Sequence, residues 1–88
     1  MIIQKHPTFN KSFKKRIKGN LKLVRKTEER IKLFLENTDN SVLKDHKLTG
    51  DWKDHRAFRI TGDIRIIYYP VSKNEVIFID IGSHNQVY

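Results

Sequence analysis

The chain has 88 residues, of which 38% are hydrophobic and 32% are charged, and its formal net charge is +8. This length allows one domain with one modest core, and the composition is typical of a folded chain rather than a disordered one. Because the sequence contains no cysteine, a disulfide framework and a thiolate zinc site are both excluded.

The first part of the sequence predicts one short strand and the first of two helices. Ile2-Ile3 begins an apolar stretch that Pro7 ends, which indicates a brief strand. Thr8 is the predicted N-cap of the first helix, Gly19 is expected to stop that helix, and Asn20 is expected to cap the next one. The apolar residues of the first helix recur with helical spacing at Phe9, Phe13 and Ile17.

The second predicted helix carries an apolar stripe that one glutamate interrupts. Its members, at helical spacing, are Leu21, Val24, Glu28, Ile31 and Leu35. The residues that widen the stripe are Leu23, Thr27 and Phe34. The polar segment Asn37–Asn40 is expected to end the helix.

After this segment the hydrophobic spacing changes from that of a helix to that of strands. Arg56–Thr61 alternates between apolar and polar residues, and Gly62-Asp63 is expected to make a tight turn. Ile64–Tyr69 is apolar on both faces apart from Arg65. This pattern predicts a central strand that is covered on both sides and that Pro70 ends.

A further apolar strand is predicted at Val76–Ile81. The resulting order β-α-α-β-β-β predicts an α+β fold, with a small antiparallel sheet that packs both N-terminal helices on one face. We expect one domain over residues 1–88. The start of the chain lacks the apolar stretch of a secretory signal, and no run could span a bilayer, so we expect a cytoplasmic protein with no membrane partner.

The positive charge is concentrated in the N-terminal part of the chain. Residues 1–32 carry eleven Lys and Arg against two Glu, whereas residues 33–88 carry seven Lys and Arg against eight Asp and Glu. Such a surface suits a polyanion, because neutralising phosphates releases condensed counterions. Lys14, Lys15 and Lys18 are the predicted nucleic-acid contacts of this surface. The alternative is a solvated, lysine-rich helix surface.

The residue types present suit RNA cleavage by the substrate's own 2′-hydroxyl. That reaction needs a base, an acid and a cation beside the phosphate. Imidazole suits proton transfer near neutral pH, and guanidinium binds phosphate oxygens bidentately. His46, His84, Arg59 and Arg65 supply these groups. Arg65 interrupts an apolar strand, so it is expected to face an anion; the alternative is an internal ion pair with Asp80.

Nothing in the sequence predicts a metal or nucleotide cofactor. The carboxylates are scattered singly, the histidines lack the spacing of a zinc site, and no glycine-rich phosphate loop is present. His6 and His55 are interpreted as polar residues without a catalytic role. We therefore expect metal-free chemistry.

Four segments, in order, carry a family likeness: Leu43–Trp52, Arg56–Ile60, Gly62–Tyr68 and Phe78–Tyr88. Together with the element order they cover essentially the whole chain and resemble the RelE-type toxins of bacterial and archaeal type II toxin–antitoxin modules. The likeness is closest to the YafQ-like and RelE/StbE-like branches. The resemblance implies a metal-independent endoribonuclease that cuts messenger RNA, usually on the ribosome, and an acidic antitoxin that inhibits it.

Carried over residue by residue, the resemblance implies catalytic roles for His84, His46, Asp63 and Arg65. Tyr88 stands where members often have a C-terminal aromatic residue, which would stack on an RNA base. The alternative for Tyr88 is a small hydrophobic plug over the sheet edge.

Two positions depart from the YafQ-like pattern. Arg59 stands where those members carry a histidine, and Asp80 stands where they carry an arginine. Which residue acts as acid and which as base therefore stays open. A ParE-like toxin that acts on DNA gyrase and a basic RNA-binding module are the alternative functions. The set of catalytic candidates favours the nuclease, since a protein that binds gyrase does not require it.

Overall fold

The computed structural model describes all 88 residues as a five-stranded mixed sheet with three α-helices. The elements are β1 (Ile2–Lys5), α1 (Pro7–Arg16), α2 (Leu21–Glu36), β2 (His46–Lys47), β3 (Arg56–Arg59), β4 (Ile64–Ser72), β5 (Glu75–Ser83) and α3 (His84–Val87). Two short 3₁₀ turns, Ser41–Leu43 and Gly50–Trp52, flank β2. None of the helices combines the length and the apolar character needed to cross a membrane.

The sheet has the strand order β1-β5-β4-β3-β2. The pairs β2–β3, β3–β4 and β4–β5 are antiparallel, whereas β1 pairs in parallel with β5. The predicted α+β fold with α1 and α2 on one face is confirmed, although the sheet is mixed rather than wholly antiparallel. Parallel pairing is possible here because the whole chain between β1 and β5 provides the long connection that parallel strands require.

The helix caps agree with the sequence at α2 and differ at α1. Asn20 caps α2 as predicted, and its Oδ1 accepts a hydrogen bond from the Leu23 N–H at 3.2 Å. At α1 the prediction of Thr8 as N-cap was wrong: His6 is the N-cap, and its Nδ1 accepts from the Thr8 N–H at 3.0 Å. Pro7 then occupies the first helical position, where the missing N–H of proline breaks no helical bond.

The buried face of α2 is centred on the residues that were expected only to widen its apolar stripe. Thr27 and Phe34 are buried, whereas Leu21 and Leu35 are 62% and 45% exposed. The ring of Phe34 stacks on that of Phe58 at a centroid distance of 4.4 Å and meets the edges of two further aromatic rings. We attribute the helix orientation to this aromatic cluster, because aromatic rings bury more apolar area than any other side chain.

We expect Phe34→Ala to lower the free energy of unfolding by about 3–5 kcal/mol, the usual cost of removing a fully buried aromatic ring. Phe34 is 0% exposed at the centre of the main core. Urea denaturation followed by circular dichroism measures the loss. Leu35→Ala, at the exposed neighbouring position, serves as the control, and equal losses in the two variants would contradict the assignment of the buried face.

The prediction that β4 is a central strand covered on both faces is confirmed. Ile66 lies in the main core beneath α1 and α2, whereas Ile67 lies in a second cluster with Leu48, Ala57 and Val87. Because Val87 belongs to α3, this short helix covers part of the opposite face of the sheet. We call the face of the sheet that α1 and α2 cover the helical side. The short helix α3 lies on the opposite side.

The prediction that Pro70 ends the central strand was wrong, since β4 continues to Ser72. Pairing with β3 stops at Tyr68, which lies opposite Arg56, so the edge of Pro70 that faces β3 has no partner strand. A missing N–H costs no ladder hydrogen bond at such a position. Pro70 pairs instead with Val76 of β5, next to a register irregularity.

β5 extends past the end of β1, and the edge of β5 that is left without a partner strand there is covered by an arginine from α1. Arg16 Nη1 donates a hydrogen bond to the Ile81 carbonyl at 3.0 Å and lies 3.4 Å from Asp80 Oδ1. The ion-pair partner of Asp80 is therefore Arg16, and the alternative of an internal Arg65–Asp80 pair is excluded. Gly82 allows this approach, because a Cβ there would lie 2.7 Å from Arg16 Nη1 and 2.8 Å from Gln86 Oε1.

Candidate active site

A cleft of about 330 Å³ opens on the side of the sheet that α3 partly covers. Its lining comes from three parts of the chain, namely the segment around β2, the central strand β4 and the C-terminal α3 region. The lining residues are His46, Lys47, Leu48, Thr49, Trp52, Arg65, His84 and Tyr88. The structure therefore brings together four predicted site residues from three separate parts of the sequence: His46, Arg65, His84 and Tyr88.

His46 is oriented by the backbone that precedes it. Lys44 adopts a left-handed conformation with φ 51° and ψ 37°, and its carbonyl lies 2.8 Å from His46 Nδ1. Because a carbonyl oxygen only accepts hydrogen bonds, Nδ1 carries the proton. In the neutral ring Nε2 then has a free lone pair, which is what a general base requires.

His84 is the first residue of α3 and follows the last residue of β5 directly. The start of this helix is fixed by Gln86, whose Oε1 accepts from the Ser83 N–H at 2.8 Å, and its end is anchored by buried Val87. The His84 ring meets the Tyr88 ring edge-on, with a centroid distance of 4.8 Å. His84 is therefore held directly after the end of β5, on a single turn of helix.

Arg65 extends from the central strand β4 and has no carboxylate partner. Its Nε is buried without a hydrogen bond, and its guanidinium carbon lies 5.7 Å from the centre of the Tyr88 ring. Because no carboxylate pairs with it, the guanidinium of Arg65 is available to an anion in the cleft.

The remaining predicted residues do not line the cleft. Arg59 is exposed and lies opposite Arg65 in the β3–β4 pair, so both point to the same side of the sheet. Asp63 is exposed in the turn between β3 and β4, where its N–H donates to Thr61 Oγ1 at 3.2 Å. The exposed lysines at the end of α1 belong to the helical side of the sheet; they are Lys14, Lys15 and Lys18.

Sequence reasoning missed four cleft residues: Lys47, Leu48, Thr49 and Trp52. All four fall within the segment that carries part of the family likeness, but no residue spacing distinguished them. The molecule contains no group of three or more His, Asp or Glu side chains that could hold a metal ion.

A polar network that the sequence did not predict supports the segment carrying His46. The Asp45 carboxylate, 7% exposed, accepts hydrogen bonds from Arg56 Nε at 2.8 Å and from the Tyr68 hydroxyl at 2.5 Å. Burial together with the bond to Asp45 raises the pKa of Tyr68 above its usual range. The same carboxylate raises the pKa of Arg56. The network ties the residue before His46 to β3 and β4.

We expect Tyr68→Phe to lower the free energy of unfolding by about 1–3 kcal/mol at pH 7, because a buried carboxylate loses a donor. The raised pKa of Tyr68 means that this contribution is fully present below pH about 10, where the unfolded tyrosine is neutral, and is lost as the pH rises further. The difference between wild type and variant should therefore shrink above pH 10 in urea titrations. A difference that stays constant to pH 11 would contradict this assignment.

The chain matches a family model over residues 1–88, and the family is described as a bacterial toxin of type II toxin–antitoxin systems, YafQ. No curated protein sequence matches the chain. Among solved structures, the chain is similar to YafQ from E. coli strain BL21(DE3), with 25% identity and a TM-score of 0.76 over 98% of this chain and 96% of that one.

Two other structures show the same likeness. The first is YafQ in the E. coli DinJ–YafQ complex, at 26% identity and a TM-score of 0.74 over 98% of this chain and 96% of that one. The second is a metal-bound toxin from Helicobacter pylori, at 27% identity and a TM-score of 0.74 over 100% of this chain and 99% of that one. The likeness in each case extends over nearly the full length of both chains.

Proposed function

This chain belongs to the YafQ family of bacterial toxins of type II toxin–antitoxin systems, and from that membership we propose that it is a metal-independent endoribonuclease that cleaves messenger RNA. The observation that carries the proposal is the convergence of His46, Arg65 and His84 on one open cleft. These side chains supply two imidazoles and an unpaired guanidinium, which are the groups that cleavage through the 2′-hydroxyl requires.

In the proposed reaction, His46 Nε2 takes the proton of the 2′-hydroxyl, and the 2′-oxygen attacks the adjacent phosphorus. The bond from phosphorus to the 5′-oxygen breaks, and His84 gives a proton to that oxygen. Arg65 stabilises the negative charge that builds up on the phosphate oxygens. The hydrogen bond from His46 Nδ1 to the Lys44 carbonyl supports the assignment of His46 as the base.

Two further residues complete the proposed RNA-binding site, and a third keeps a proposed catalytic role. Arg59, opposite Arg65, would bind a phosphate next to the cleft. Tyr88, which packs on His84 and lies under Arg65, would stack on a base. Asp63 retains its proposed catalytic role, and from the β3–β4 turn it would reach an RNA that extends from the cleft past Arg59.

The proposed partners are ribosome-bound messenger RNA and a cognate acidic antitoxin. The similar E. coli protein has been solved in complex with DinJ. A net charge of +8 favours rapid association with an acidic chain, and complementary charge also excludes wrong partners. Co-expression with the product of the adjacent reading frame, followed by size-exclusion chromatography, tests for a complex that blocks cleavage.

The experiment that tests the nuclease incubates the purified protein with a messenger RNA, with and without translating ribosomes, in the presence of EDTA. We expect cuts that end in a 2′,3′-cyclic phosphate and a 5′-hydroxyl and that are faster with ribosomes. A message with one 2′-O-methyl group at the mapped cut site should resist cleavage there. RNA binding without cleavage, or inhibition of DNA gyrase, would support the alternative functions instead.

Reversal of charge at the end of α1 tests whether the helical side contacts RNA or the ribosome. We expect the triple variant of Lys14, Lys15 and Lys18 to Glu to bind ribosomes more weakly, with a shallower dependence on salt. Co-sedimentation across a potassium chloride titration measures both quantities. Unchanged binding at every salt concentration would show that these lysines form only a solvated surface.

A further inference from the structure

Two more cavities continue the cleft along the β2 edge of the sheet. The first, of about 460 Å³, shares Lys47, Leu48 and Thr49 with the cleft. The second, of about 320 Å³, shares Lys47, Lys53 and Asp54 with the first. Lys47 borders all three spaces, so they adjoin one another along this edge. We call the part outside the cleft, lined by Lys47, Lys53 and Asp54, the β2 groove.

The charged groups of the β2 groove favour an anion. Lys47 and Lys53 are exposed, and neither forms an ion pair within the chain. Arg56 also lines the far cavity, but its guanidinium is paired with Asp45. The only carboxylate that lines the groove is Asp54. Two unpaired ammonium groups along one groove match the repeated charge of a phosphodiester backbone.

Aromatic rings lie where the groove leaves the cleft. Trp52 lines the cleft, and its ring meets that of His55 at a centroid distance of 4.9 Å. His55 lies 5.3 Å from the ring of Tyr69, which is 39% exposed, and His55 Nδ1 is buried without a hydrogen-bond partner. Aromatic faces beside unpaired lysines are typical of surfaces that bind single-stranded nucleic acid, where bases are free to stack.

We propose that the β2 groove binds the single-stranded RNA that continues from the cleft, an inference that rests on the proposed function. Lys47 and Lys53 contact phosphates of the strand that has left the cleft, and Trp52 stacks on the base between cleft and groove. This track lies on the β2 edge of the sheet and is separate from the lysines at the end of α1. The chemical class of the ligand is unpaired RNA, because a base within a duplex cannot stack on a side chain.

The test compares oligonucleotides of two lengths that share a central sequence. Both carry 2′-O-methyl groups, so they cannot be cleaved, and their binding is measured by fluorescence anisotropy. A trinucleotide occupies the cleft, whereas a nonanucleotide also extends into the groove. We expect the nonanucleotide to bind wild type at least about tenfold more tightly, since it adds phosphate and stacking contacts.

Lys53→Ala is the decisive variant, because Lys53 lines the groove and not the cleft. It should leave trinucleotide binding within about twofold and remove most of the length dependence. Each lost phosphate contact on a single strand lowers the slope of log affinity against log salt by about 0.7, and Lys47→Ala combined with Lys53→Ala should lower it by about 1.4. Lys5→Ala, at the opposite edge of the sheet, is the matched control.

The outcomes separate the groove from the proposed function. If wild type binds both lengths equally, or if Lys53→Ala behaves like Lys5→Ala, the groove assignment is overturned. If length-dependent binding requires Lys53 but no RNA is cleaved, the groove stands and the nuclease fails. A polyglutamate peptide whose binding is lost in Lys53→Ala, with the RNA length dependence intact, would assign the groove to an acidic protein partner and overturn the RNA proposal.

Discussion

Replacing His84 by alanine is expected to lower the rate of RNA cleavage by at least about 10²-fold, the usual effect of losing a general acid. His84 lies at the start of α3, on the rim of the cleft that also holds His46 and Arg65. The substitution removes the proposed acid, which would protonate the departing 5′-oxygen, and leaves the proposed base in place. Single-turnover cleavage of a ribosome-bound message measures the rate.

The pH dependence of the same variant identifies the role of His84. With a base and an acid both required, the wild-type rate should rise and then fall with increasing pH, and loss of the acid should remove the fall on the alkaline side. Asn85→Ala is the control, since Asn85 is exposed on the same turn of helix and does not line the cleft. A folded His84→Ala protein that cleaves at the wild-type rate would show the assignment to be wrong.

The second large effect is expected at Arg65, where alanine should lower cleavage by about 10²–10³-fold by removing the charge that is proposed to stabilise the transition state. Because Arg65 makes no ion pair and its Nε has no hydrogen bond within the chain, the fold should lose little stability. The rate constant for cleavage at saturating ribosomes and the midpoint of urea denaturation separate these two effects.

Arg65→Lys refines this prediction. Lysine keeps the positive charge but lacks the planar fork that binds two phosphate oxygens at once, so we expect it to restore only part of the rate lost in Arg65→Ala. Full recovery in the lysine variant would show that charge alone suffices. A wild-type rate in Arg65→Ala would remove Arg65 from the site.

The sequence predicted correctly those parts of the fold that depend on the spacing of apolar residues within one segment. The apolar residues on both faces of β4 indicated a central strand, and Ile66 and Ile67 do pack on opposite sides of the sheet. The orientation of α2 depended on distant residues, since the ring of Phe34 packs on Phe58 across the core. The apolar stripe of a helix does not by itself show which of its residues lie at the centre of the buried face and which lie at its border.

The same distinction holds for the candidate site. His46, His84 and Arg65 were found from residue type and family likeness, and the structure gathers them in one cleft. The supporting contacts could not be predicted, because they join residues far apart in sequence with no periodic signal. Asp45 bonds to Arg56 eleven residues away and to Tyr68 twenty-three residues away. Asp80 likewise forms its ion pair with Arg16 of α1 rather than with a residue of the neighbouring strand.

The parallel pairing of β1 with β5 has a consequence for the order in which the molecule folds. The β3–β4 and β4–β5 hairpins join neighbouring stretches of chain, whereas the β1 pairing joins Ile2 to Glu75. Loop-closure entropy must be overcome before such a distant contact stabilises anything, so non-local pairings slow folding. The hairpins can therefore form before the β1 pairing, which requires both ends of the sequence to have come together.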